Sequence, residues 1–207
     1  GNKFKYKMKK IILSKLDIYT PLQKNNQISN EDYGIENYLH YPILLDDNGI
    51  PLKYENLYLL FKLKNYTKPS SKTLDSIAND LKKFILWCKQ SEIDYLTATR
   101  KVLTPTYKYR GYLQTLYENG KISSSTLKRK IGSVIGFYRY LINEQNIKFK
   151  FPLWEEGITS ITYFDNKGFS QSKKVTTTDI GNVPLVQNQE ITNEKFIKDG
   201  RNLKPLT

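Results

Sequence analysis

Metal and redox chemistry have little to work with in this sequence, which holds one cysteine, Cys88, and one histidine, His40. A lone cysteine cannot close an internal disulfide, and Cys88 falls on the apolar side of a predicted helix, so it reads as a buried structural thiol rather than a reactive one. His40 stands beside Tyr41 and Pro42 with no cysteine or second histidine near it. A surface or half-buried role is therefore expected in place of a zinc site. A membrane-spanning helix needs about 20 consecutive apolar residues, and no such run exists. The early run Ile11-Ile12-Leu13 is too short for a secretory signal. Glycine-rich phosphate loops, a serine-histidine triad and paired redox cysteines are missing as well. The carboxylates are scattered: Asp75 and Asp80 do not share a helical face, Glu155 and Glu156 lie on no evident scaffold, and turn chemistry accounts for Asp46-Asp47. No catalytic residue, cofactor or metal ligand is assigned. No initiator methionine precedes Gly1, so a fragment is expected.

What the chain has is positive charge, unevenly spread. Its 207 residues, 39% of them hydrophobic, suffice for one sizeable domain or two small ones. The net charge is +13; residues 71–150 carry 15 basic and 6 acidic side chains, against 11 and 7 in residues 1–70 and 7 and 7 in residues 151–207. A compact basic segment fits a polyanionic partner, nucleic acid first and an anionic membrane surface second. The competing reading is a lysine-rich composition that keeps surfaces soluble, and the 16 tyrosines and abundant Asn, Ile and Lys agree with it.

The chain is organised around Ser123 to Asn146. On a wheel of 100° per residue, Leu127, Ile131, Val134, Ile135, Tyr138, Leu141 and Ile142 fall within about 120°, the width of a core-facing stripe. One of Ser123, Ser124, Ser125 and Thr126 is expected to cap the helix. Arg129, Gly132, Ser133, Gly136 and Tyr140 fall on the reverse face, flanked by Lys128 and Arg139. Two glycines inside a helix cost about 1 kcal/mol each relative to alanine. Close packing of a neighbouring helix, or of a partner, is the expected compensation.

Upstream, residues 4–8 alternate like a strand, Asn30 to Leu39 is expected to form a short helix, and residues 42–54 read as strand, Asn-Gly turn, strand. Asn56 to Leu63 is an apolar run of open type. After a linker over residues 65–72, a helix is predicted over 73–89, burying Leu74, Ile77, Ala78, Leu81, Phe84, Ile85 and Cys88 and leaving Leu86 and Trp87 in want of a partner. Thr104-Pro105 starts a further helix, with Tyr109, Tyr112, Leu113 and Leu116 expected inward and Glu118-Asn119-Gly120 at its end. Phe151-Pro152-Leu153-Trp154 reads as a hook onto the core, and residues 165–182 as a polar loop.

The middle of the chain resembles the SAM-like core-binding domain that precedes the catalytic domain in tyrosine recombinases of the phage-integrase type. Asp80-Leu81, Phe84 and Trp87 look like the family's first helix. Gly120-Lys121-Ile122-Ser123, Thr126-Leu127, Arg129, Ile131, Val134-Ile135, Phe137-Tyr138 and Tyr140-Leu141 look like its last long one. The resemblance runs from about residue 70 to 155. Thr177-Thr178-Asp179 and Leu203-Lys204-Pro205-Leu206-Thr207 look like the approach to a catalytic domain.

The resemblance implies a DNA clamp whose parent enzyme cleaves through a tyrosine nucleophile supported by arginines, a lysine and histidines. The single histidine, upstream of the resemblance, leaves no such site in this chain, so the fragment is expected to be non-catalytic. The expected fold is mainly α: residues 66–160 form a compact SAM-like helical core-binding domain, preceded by a small α+β module over 1–65, an arm-type DNA-binding or protomer-contact element, and followed by a linker over 161–207. The expected partner is double-stranded DNA at recombination sites, with self-association on DNA through the full-length recombinase, no membrane, and a bacterial cytoplasmic, nucleoid-associated location. The resemblance carries over to Arg129, Lys128 and Arg139. The helical wheel and local composition add Lys108, Arg110, Gln114, Ser133, Tyr140, Lys173 and Lys174 as candidate DNA contacts. Two other readings stay open: a protein-interaction module using the Gly132/Gly136 face and Leu86/Trp87, and an enzyme with an unfamiliar carboxylate site.

Overall fold

Two long antiparallel strands lead into the helices. The computed structural model describes residues 6–24, 27–65, 71–97, 104–164 and 167–181. Strand β1 (Lys9–Lys24) pairs with β2 (Gln27–Leu45) in a two-stranded sheet whose register runs from Lys9 opposite Leu45 to Lys24 opposite Gln27, with a shift between Pro21 and Gln23. The expected helix at 30–39 is thus strand, because pairing with β1 supplies backbone bonds that a polar stretch of weak period could not secure alone. Ile11 to Leu13, which interrupts the alternation of residues 4–8, lies inside β1, while residues 6–8 precede it. The Asn-Gly turn is present: Asp46 Oδ1 accepts from the amides of Asn48 and Ile50, both at 2.8 Å, and Gly49 has φ of 79°. The strand expected after it shrinks to one bridge between Leu45 and Pro51.

From Lys53 the chain turns helical instead. Helix α1 (Lys53–Asn65) resolves the open type of the 56–63 run, packing against β2, α2 (Ser71–Gln90) and α4 (Ser124–Asn143). Helix α3 (Pro105–Glu118) completes a four-helix bundle. Residues 66–70 of the expected linker and 98–103 of the connector lie outside the described residues. Proline at its first turn starts α3 and Gly120, with φ of 67°, follows its end. The α4 cap is Ser123, whose hydroxyl accepts from the Thr126 amide at 3.2 Å, a contact worth about 1 kcal/mol.

One aromatic and aliphatic core fills the bundle. Phe84 packs its ring 4.9 Å from Tyr109 and 6.0 Å from Tyr138, with Leu81, Ile85, Leu113, Leu127 and Leu141 buried around them. Met8, Tyr41 and Leu44 bring the N-terminal sheet onto the same core, and Lys10 ties β1 to Asp75 of α2. Cys88 is buried, and burial pushes its thiol pKa up, in keeping with a structural thiol. His40 is exposed. Two apolar side chains expected inward are largely outside: Tyr112 is 41% and Ile142 39% exposed. Tyr112 stacks against Trp87, which also meets Tyr109, so the Trp87 side of α2 finds its partner in α3.

After the bundle, Leu153 is buried and its carbonyl accepts from the Thr106 hydroxyl, the expected hook. A second antiparallel pair follows, β3 (Glu156–Phe164) with β4 (Ser170–Thr178). Half of the stretch expected as a loop over 165–182 is therefore strand, its β-branched run Val175 to Thr178 suited to a pleated ribbon. A 3-10 turn, Asp179–Gly181, ends the described chain, with Ile180 buried. Residues 182–207 lie outside it.

Candidate nucleic-acid interface

Helices α2 and α4 meet through charge. Asp80 sits three residues after Ile77 and four before Phe84, so the period that drives α2 into the core carries this carboxylate inward with it. Its residue is 2% exposed. A buried carboxylate needs compensation, and α4 supplies it. Arg129 Nη1 donates to Asp80 Oδ2, the Ser133 hydroxyl donates to the same oxygen at 2.9 Å, and Lys130 Nζ lies 3.6 Å from Oδ1. The Lys130 side chain is 8% exposed, that of Arg129 48%. Burial holds the Lys130 ammonium pKa below the ordinary lysine value; Asp80 opposes that shift, while Lys83 and Arg129 add to it by repulsion. Two cations therefore share one carboxylate. Beside them opens a cavity of about 350 Å³, lined by Lys72, Thr73 and Ser76 of α2 and by Arg129 and Ser133 of α4.

The other expected contact residues divide into small groups. Lys128 and Lys108 are exposed and have no ion pair among the described residues; Lys173 and Lys174 are likewise exposed, on β4. Arg110 is turned to internal use: its Nε donates to the Ile180 carbonyl at 2.9 Å and its Nη1 to Gln114 Oε1 at 2.7 Å. Gln114 in turn donates to Glu118 at 2.8 Å. Beside them the Tyr107 hydroxyl donates to Asp179 at 2.6 Å, and Asp179 accepts from the Glu155 amide at 2.9 Å, so α3 fastens the end of the second hairpin. Arg139 bonds Glu156 at 2.9 Å and lies over the Trp154 ring, 5.4 Å from its centroid.

Tyr140 is a correction. Expected on the outer face, it is 6% exposed, with its ring 5.5 Å from Tyr58 and 5.1 Å from Phe61. The cause is α1, which covers that side of α4. Gly136 permits the approach, since a Cβ there would run into the Tyr58 hydroxyl, whereas nothing lies within 4 Å of a Cβ on Gly132. The close-packing reading of the glycines thus holds at Gly136 and not at Gly132.

Sequence reasoning missed Lys130 and the role of Asp80. Both had a signal: Lys130 stands three residues after Leu127 and four before Val134, a core position occupied by a cation, and Asp80 holds the matching core position on α2. Opposite charges at inward positions of two neighbouring helices are a pairing signature.

Among the described residues no helix is long and apolar enough to cross a membrane, and no three His, Cys, Asp or Glu side chains group as metal ligands. Neither curated proteins nor solved structures gave a match to the chain. A family model does match, over residues 59–145: the N-terminal SAM-like domain of phage integrase. The match begins within α1 and ends just past α4, so it takes in the α2–α4 pairing and leaves both hairpins outside. Residues 59–145 thus form an N-terminal SAM-like domain of the phage-integrase, tyrosine-recombinase type.

Proposed function

We propose that this chain binds duplex DNA at recombination sites as the non-catalytic, N-terminal part of a site-specific tyrosine recombinase, during integration or excision of a mobile element in the bacterial cytoplasm. The observation that carries the reading is the pairing of two cations, Arg129 and Lys130, with the single carboxylate of Asp80. A fold that needed only to neutralise Asp80 would stop at one cation. The surplus, with exposed Lys128 alongside Arg129, suits a row of backbone phosphates. The family match over residues 59–145 supports the same partner. The protein-interaction reading loses two of its supports, because the Gly136 groove holds Tyr58 and Trp87 stacks on α3.

The test is fluorescence anisotropy with a labelled duplex from an end of the element that encodes the protein, beside a scrambled duplex, over a salt series. Binding that prefers the end sequence and weakens with salt is expected, with Arg129→Ala lowering the logarithmic salt slope by about 0.9. No binding by the folded chain at low salt would return the protein-interaction reading to first place.

A further inference from the structure

We propose that the cavity between the first turns of α2 and the Arg129/Ser133 face of α4 receives one phosphodiester group of the duplex, and that Asp80 is the positioning residue that aims the Arg129 guanidinium at it. The proposal rests on the DNA-binding reading and adds to it a specific pocket and a role for an acidic residue, a type that charge counting would place outside any DNA interface.

The lining side chains that can donate outnumber its one carboxylate. Lys72 brings an ammonium and Ser76 a hydroxyl, and Arg129 spends Nη1 on Asp80 while its remaining N–H groups stay in the same plane. Among the described residues Asp80 is the only carboxylate in the lining, and both of its oxygens are engaged, Oδ2 by Arg129 and Ser133 and Oδ1 by Lys130. With two cations on it, the carboxylate presents a positive surplus to an arriving anion. A tetrahedral oxyanion accepts from a guanidinium edge, an ammonium and a hydroxyl together, as this lining offers.

Asp80 acts through Arg129 and does not touch the ligand. An arginine half exposed on a helix samples many rotamers, and ordering it on binding costs entropy. A buried acceptor at its base, itself fixed from the other side by Ser133 and Lys130, removes most of that freedom in advance. The guanidinium then waits at the cavity mouth in one orientation.

Charge and position make opposite forecasts for Asp80→Asn, which adds one positive charge and keeps the shape. If only the total charge mattered, duplex binding would tighten. If Asp80 positions Arg129, binding weakens, by about tenfold for one misplaced charge-assisted bond. Arg129→Lys, which keeps the charge and loses the fork, weakens binding by a similar factor. Both variants and the wild-type full chain are titrated against the labelled duplex, with circular dichroism melts to show that each is folded. Should Asp80→Asn fail to fold, Arg129→Lys decides, since it leaves Asp80 and Lys130 in place. Unchanged or tighter binding by the folded variants overturns the pocket while the DNA-binding reading stands, and absence of wild-type binding overturns both. Inorganic phosphate added at matched ionic strength is expected to leave the wild-type curve in place. Displacement of the duplex by phosphate but not by chloride would overturn the duplex assignment and give the pocket to free phosphate.

Discussion

Against α1, helix α4 presents Gly136, Phe137 and Tyr140 to Tyr58 and Phe61; against α2 it presents Arg129, Lys130 and Ser133 to Asp80. The first seam is aromatic, its rings 5.1 to 5.7 Å apart, with a cavity of about 250 Å³ at its edge beside Lys62 and Glu144. The second is charged, half open and cationic in excess. One helix thus separates two tasks: the aromatic side supplies stability, and the charged side holds a capacity that folding alone does not use. The two in-helix glycines follow the same division, Gly136 filled by a neighbour and Gly132 open.

The largest effect that would sharpen this contrast is at Tyr58. Tyr58→Ala removes a ring that is 3% exposed and meets both Phe137 and Tyr140. Loss of a buried aromatic costs about 3–5 kcal/mol, to be read from urea midpoints, while duplex affinity of the folded fraction stays at the wild-type value. Reduced affinity without reduced stability would reverse the assignment of tasks. Asp80→Ala comes next. It strands Lys130 in a buried site and should cost about 3 kcal/mol, the low end for breaking a buried pair, because Arg129 relaxes into solvent. A loss under about 1 kcal/mol would mean that the seam tolerates an uncompensated ammonium and that the carboxylate has no structural duty.

The glycines give a smaller effect with opposite signs. Alanine at Gly136 meets the Tyr58 hydroxyl, whose ring is wedged against Phe137 and Tyr140, and overpacking of this kind costs about 1–3 kcal/mol, offset in part by better helix propensity. Alanine at Gly132 meets nothing and should gain about 0.5–1 kcal/mol. Thermal melts of the pair test whether the two seams differ at all, since equal shifts would erase the distinction.

How much of this was legible beforehand depended on where the stabilising contacts lie. Residues 123–146 announced α4 because its signal is local: a hydroxyl cap, an apolar stripe and a stop. The same holds for Thr104-Pro105 and for the Asp46 turn. Residues 42–45 were readable as strand, but residues 27–41 were opaque because they are held by β1, and nothing within a stretch such as Glu31 to Tyr38 fixes an antiparallel partner. Helix α1 hid for another reason: it is covered by β2, α2 and α4 on several sides, so its apolar residues form no single stripe. Missing α1 then misplaced Tyr140, which faces it. At the candidate site, Arg129 and Ser133 were readable as outward polar residues, but their shared acceptor was not, because Asp80 and Lys130 pair across 50 positions of sequence and a wheel drawn for one helix shows only half of the pair.

The smallest expected effect is also the finest probe of the charged seam. Lys130→Met keeps the bulk and removes the buried charge, leaving Asp80 with Arg129 and Ser133. Since the desolvation cost that it relieves is of the same order as the pairing that it loses, stability near neutral pH should stay within about 1 kcal/mol of wild type. The difference emerges with alkali. Burial depresses the Lys130 pKa below its unfolded value, so between the two the unfolded chain holds more protons than the native one, and wild-type stability rises with pH across that window. The variant lacks this contribution, while the tyrosines titrate in both proteins and largely cancel. Urea denaturation from pH 7 to about pH 10, where free lysine titrates, should therefore show wild type gaining on Lys130→Met as pH rises. A gap that moves the other way would mean that attraction to Asp80 outweighs burial, and that this seam is internally satisfied with little charge left over for a ligand.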